Sequence, residues 1–281
     1  MQAVAVLLAV ASASLYALST ALQAIEARVT PRGTALRASL IARLVRRPLW
    51  LIGGLAGVLA WPIQAVALGV GSVGLVQPTL GAGLIVLLLL GVTVLHERVG
   101  LRELAGVAAI VAAVAALAFA APAATGAFTT PASWGIGLAL VVVAPAPYLL
   151  RAAGRAGGRV TTFATGLAWA WTGLGTALLD DAIGGRHWAV AVGWALGVGV
   201  TSWGALLTEM TALQTWPATR AIPIAFGCEM LLPSALAPLL TDEAPRGPAL
   251  FAIALVIAGG GALLLGGSRA VARAAQSHTA P

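Results

Sequence analysis

The chain has 281 residues, of which 60% are hydrophobic and only 9% charged, with a formal net charge of +7. A water-soluble surface carries roughly 25% charged residues, so a soluble single domain is excluded, and so is disorder, which requires low hydrophobicity. What remains is a polytopic membrane protein whose basic excess reports topology, with no nucleic-acid partner needed to explain it.

In chain order, apolar segments fall at about 2–24, 49–70, 74–95, 104–121, 132–150, 160–179, 188–213, 219–240 and 249–267. Each is near the ~20 residues that cross about 30 Å of hydrocarbon. The fold class read from this is an all-α integral membrane protein of about nine transmembrane helices. No Lys or Arg precedes Leu7, so the first segment reads as a retained span and not as a cleaved signal peptide. The longest stretch between spans, 25–48, is too short for a second folded domain. Within it Leu36, Leu40 and Leu44 recur at helical spacing among arginines. Two readings stand for that segment: an interfacial helix on anionic lipid, or a topogenic loop that extends the second span into the cytoplasm. The second needs fewer assumptions.

All sixteen basic residues are Arg. Fourteen fall on one side of the spans: Arg28, Arg32, Arg37, Arg43, Arg46, Arg47, Arg98, Arg102, Arg151, Arg155, Arg159, Arg220, Arg269 and Arg273. Only Arg186 and Arg246 fall on the other. The positive-inside rule makes the fourteen cytoplasmic, which puts the N-terminus outside and the C-terminus inside a multi-pass protein of the cytoplasmic membrane.

Placing Pro78 on Pro223 places Gln64 on Glu209, fourteen residues ahead of the proline in each copy. The next helix then ends at His96-Glu97-Arg98 in one copy and Thr241-Asp242-Glu243 in the other, and a Gly/Ala-rich helix follows each. Spans 1–4 thus match spans 6–9, and the single span between them inverts the second copy. The organisation read from this is a first four-helix repeat in 1–121, a linker helix in 122–159, a second, inverted four-helix repeat in 160–268, and a cytoplasmic tail in 269–281. Inverted repeats are a building principle of secondary transporters.

The run RRPLWLIGGLAGVLAW (46–61), Gln64, the segment GLVQPTLGAGLIVLLLLGVTVLHERVGLRELAGVAAIVAAVAALA (74–118) and ALQTWPATRAIP (212–223) resemble the drug/metabolite transporter superfamily, in its EamA-like and NIPA-like branches. The resemblance implies a helical transporter with two inverted repeats around a central cavity. Many members have ten helices; a count of nine suits the NIPA-like branch, some of whose members are associated with magnesium transport.

Charges inside spans are costly and usually face a cavity or a partner. Glu229 lies near the middle of span 8, either as a proton- or cation-coupling carboxylate or as a protonated group bonded to a neighbouring helix. Glu209 and Arg220 face the same side across a hairpin, so a structural ion pair is preferred there over a substrate role. Gln64 and Gln77 can serve a solute or bond between helices. Pro78 and Pro223 are the candidate helix breaks, because proline frees the carbonyl one turn earlier. Trp61, Trp171 and Trp203 either line an aromatic cavity or pack against lipid and core. Trp50, Trp134 and Trp188 suit an interfacial belt. The small-residue faces Gly53/Gly57 and Gly193/Gly197 suit close helix packing or a homodimer. No two His share a helical face, and neither a phosphate-binding glycine loop nor a Ser/His/acid set is present, so no cofactor and no enzyme activity are expected; the metal question stays open. The function expected is a secondary transporter or facilitator for a small solute or ion. The alternatives are NIPA-like magnesium transport and a non-transporting membrane scaffold.

Overall fold

The computed structural model describes residues 2–70, 76, 79–120, 130–241 and 245–266. Among them there is no strand. The chain runs through α1 (Gln2–Val29), a short 3-10 turn (Arg32–Thr34), α2 (Ala38–Leu44), α3 (Pro48–Val70), α4 (Ala82–Thr93) and α5 (Leu101–Ala120). It continues through α6 (Thr130–Val143), α7 (Ala146–Ala152), α8 (Gly158–Gly184), α9 (Trp188–Thr215), α10 (Ala218–Thr241) and α11 (Pro248–Gly266). In hydrocarbon no water bonds the backbone, and the helix satisfies every N–H and C=O within its own segment.

Among the described residues, four helical stretches are long and apolar enough to cross a membrane: Gln2–Val29, Ser133–Ala152, Trp188–Thr215 and Pro248–Leu265. A fifth is added if Ala38–Leu44 and Pro48–Gln64, bent by 96°, count as one span. The protein is therefore membrane-embedded. The other expected spans are helical as well but fall short of that standard. The described part of α4 has only 12 residues. In α8, Thr161, Thr162, Thr165, Thr172 and two tryptophans dilute the apolar side chains.

Two expectations about helix shape are corrected. The segment after Arg37 is no straight extension of the second span: α2 turns sharply away from α3. Its Leu40 and Leu44 are fully buried in the main core cluster beside Leu213, Trp216 and Ile224, and Leu36 before it is fully buried too, so the leucine face covers protein and not lipid. Leu36 is held at φ 53°, an unusual conformation for a bulky residue, and its N–H donates to Thr211 Oγ1 at 3.0 Å. Pro223, expected to break a helix, lies buried inside a continuous α10. It removes one N–H, the donor that would reach the Thr219 carbonyl, and the helix continues through it to Thr241. Pro62 also lies inside a continuous helix, on the exposed face of α3. Pro78 lies outside the described residues.

α1 packs along α3 and α4, and α8 packs along α9 and α10. The two groups meet where α4 crosses α10, where α5 lies along α11, and where α1 touches α9. Small residues permit these approaches. A Cβ on Gly53 would come within 2.9 Å of the Ser19 carbonyl, and one on Gly57 within 3.0 Å of Ser19 Oγ, so this glycine pair seats α3 on α1. Gly193, expected to seat a matching approach in α9, has nothing within 4 Å of where its Cβ would be.

Candidate functional site

Two polar regions are built into this apolar frame. The first lies at the end of the bundle where α1, α4 and α9 finish and α5, α8 and α10 begin. Glu97, just after α4, is its hub. One carboxylate oxygen accepts the Ala218 N–H at 2.7 Å and the other the Thr219 N–H at 2.9 Å. The Arg28 guanidinium and the Thr219 hydroxyl donate to the same carboxylate. Glu97 thus caps the N-terminus of α10 from a distant loop, where a helix leaves its first N–H groups unpaired and carries partial positive charge.

Beside it, Arg220 Nη2 pairs with Glu103 Oε1 at 2.6 Å, with both side chains only 6% exposed. Glu103 Oε2 also accepts the Gly100 N–H at 2.8 Å and so caps its own helix α5. The Glu209–Arg220 pair expected from the sequence is therefore not formed; the guanidinium reaches across to α5. Arg220 is thereby held in a buried ion pair between α10 and α5. Gln214 of α9 completes the region, its Nε2 donating at 3.4 Å to the Thr30 carbonyl and to Thr34 Oγ1.

The second region lies deeper. Glu229 is about 16 Å along α10 from its start, and Glu209 about 9 Å from the end of α9, at 1.5 Å per residue. Both are half-buried. They lie within electrostatic reach of each other, and Tyr16 from the middle of α1 lies within reach of Glu229. Trp169 of α8 donates its indole N–H to Glu209 Oε2 at 3.0 Å. Four helices thus converge on two carboxylates. Among the described residues neither carboxylate has a cationic partner. None donates a hydrogen bond to Glu229, so the backbone-bonded reading of that residue finds no bond there.

The remaining candidates fall elsewhere. Gln64 is half-buried on α3. Gln77 lies outside the described residues. Trp61 is 68% exposed and faces outward, so it lines no interior cavity. Trp203 is 37% exposed and donates its Nε1–H to Tyr148 Oη at 3.2 Å, which ties α9 to α7. Trp171 packs on small core clusters with Ile136, Leu174 and Val143. Trp50 is buried and donates to Met210 Sδ at 3.3 Å, unlike a belt residue, whereas Trp134 and Trp188 are well exposed. None of the candidates lines the apolar cleft of about 500 Å³ between α5 and α11. Among the described residues no three His, Cys, Asp or Glu side chains are grouped to hold a metal ion.

Sequence reasoning missed Trp169 and Tyr16. Trp169 lies 40 residues from Glu209, and no spacing rule joins them. Tyr16 had a visible signal, a phenol in the middle of the first apolar run. Comparison with models of protein families, with curated proteins and with solved structures found no match.

Proposed function

We propose that the protein is a secondary transporter or facilitator that moves a small solute across the cytoplasmic membrane by alternating access. The observation that carries this reading is the pair Glu209 and Glu229. Two carboxylates on successive helices, half-buried and without a counter-charge among the described residues, are a poor structural device and a good place for a proton or a cationic group.

The packing order supports the inverted-repeat reading with nine spans, repeats in 1–121 and 160–268 and a linker between. α1 against α3 and α4 is mirrored by α8 against α9 and α10, and the α4–α10 and α5–α11 contacts join equivalent helices. Such a pair of halves can rock about a central site. Collection of the described basic residues Arg28 to Arg102 and Arg220 at one end supports that end as cytoplasmic, with the N-terminus outside. The resemblance to the drug/metabolite transporter superfamily fits the same architecture.

The test is flux in proteoliposomes of purified protein. Glu229→Gln removes the charge and keeps the shape. PH-dependent flux is expected to fall at least tenfold while the protein stays folded; unchanged flux removes Glu229 from the mechanism. A second reading, magnesium passage of NIPA-like type, draws on the same two carboxylates as hard oxygen ligands. Magnesium-dependent flux or stabilisation that disappears in Glu209→Gln would favour it.

A further inference from the structure

A second arginine-lined region lies at the sharp corner between α2 and α3. The chain turns by 96° over Val45–Arg47. The turn folds Arg43, Arg46 and Arg47 around a cleft of about 300 Å³, whose other wall is Thr30 and Pro31 after α1. The only acidic group paired there among the described residues is Glu26, whose Oε2 lies 3.8 Å from Arg47 Nε. Arg43 and Arg46 have no acidic partner among the described residues.

That distinguishes the cleft from Arg28 and Arg220 at the same end of the bundle. Arg28 and Arg220 are each matched by a carboxylate, on Glu97 and Glu103. At the corner, three guanidinium groups meet one carboxylate. The corner also holds the start of α3, whose N-terminal partial charge is positive. The Thr30 hydroxyl is already bonded to the Glu26 carbonyl at 2.9 Å, so the cleft's free hydrogen-bonding capacity is the guanidinium donors. Guanidinium forks match a tetrahedral anion with several oxygens better than a single carboxylate. The buried leucine face of α2 anchors the backbone of the corner to the core, and the three exposed arginines line the cleft from that anchored turn.

We propose that this cleft binds a phosphate group. Two sources share that chemistry: the headgroup of an anionic phospholipid at the membrane surface, and free inorganic phosphate. The site is separate from Glu209 and Glu229 and does not rest on the transport reading.

The experiment uses the full chain purified in a neutral detergent. Binding is followed by native mass spectrometry and thermal stabilisation with short-chain phosphatidylglycerol, with inorganic phosphate and with short-chain phosphatidylcholine. Phosphatidylglycerol is expected to bind and phosphatidylcholine not. Arg43→Gln with Arg46→Gln should weaken the phosphatidylglycerol affinity by about fivefold per arginine, the strength of one basic side chain at an anionic surface. Arg32→Gln with Arg37→Gln removes the same charge outside the cleft and should leave affinity within about twofold. Arg43→Lys with Arg46→Lys keeps the charge that sets topology, and should weaken binding through loss of the bidentate fork. Binding of inorganic phosphate alone, with the same variant pattern, supports the cleft with free phosphate as its source. Equal losses in the two Gln pairs would show a diffuse basic surface and overturn the site, as would no binding of either phosphate probe.

Discussion

The two polar regions use the same residue types in opposite ways. At the arginine-rich end, Glu97 and Glu103 are each matched by a guanidinium and by backbone N–H groups. Deeper in the bundle, Glu209 has one indole donor and Glu229 none among the described residues. The first region locks helix ends together across the chain. The second keeps two ionisable carboxyl groups in a costly place with few hydrogen bonds among the described residues, which is the pattern expected of a functional group.

The largest test of this contrast is at the Arg220–Glu103 pair. Glu103→Gln leaves a buried guanidinium without its counter-charge and should destabilise the fold by about 3–5 kcal/mol. Unfolding in mixed micelles measures it, and a loss under 1 kcal/mol would remove the distinction between the regions. Glu97→Ala should cost about 3 kcal/mol, since it strips a cap from α10 and unpairs Arg28 together.

Gly91→Ala probes the same lock sterically. A Cβ there would lie 2.1 Å from Thr219 Cγ2, on the residue that Glu97 holds. A cost of about 1–3 kcal/mol is expected from such overpacking. Thr219→Ser removes that methyl and keeps the hydroxyl, so the double variant should recover most of the loss. Failure to recover would place the strain elsewhere.

Smaller effects are expected in the deeper region, and the contrast rests on their being small. Glu229→Gln should change stability by less than about 1 kcal/mol while abolishing coupled flux, because no paired structural contact is removed. Trp169→Phe should cost about 1 kcal/mol by removing the donor to Glu209. Trp61→Ala, on the exposed face of α3, should stay within about 0.5 kcal/mol and leave flux unchanged.

Much of the frame was legible in the sequence, because hydrophobic length and arginine placement are properties of consecutive residues. The apolar runs are helices, and Gly53 with Gly57 does mark a close approach. The partners were less legible. Arg220 was paired with the nearer Glu209 on hairpin logic, yet it reaches Glu103, 117 positions earlier. Glu97 looked like the polar end of a span; its role as a cap for α10 depends on a loop arriving from another part of the bundle. The leucines of α2 showed their helical spacing but not which surface they cover.

By itself the sequence determined that this protein lives in a membrane, is helical, and carries a few charges too expensive to be incidental. Those conclusions follow from transfer free energies that act residue by residue. Only the tertiary structure decided which charges are matched and which are left unmatched. Pairing is a contact between distant segments, and it separates Glu97, Glu103 and Arg220, which form ion pairs across the bundle, from Glu209 and Glu229, which have no counter-charge among the described residues.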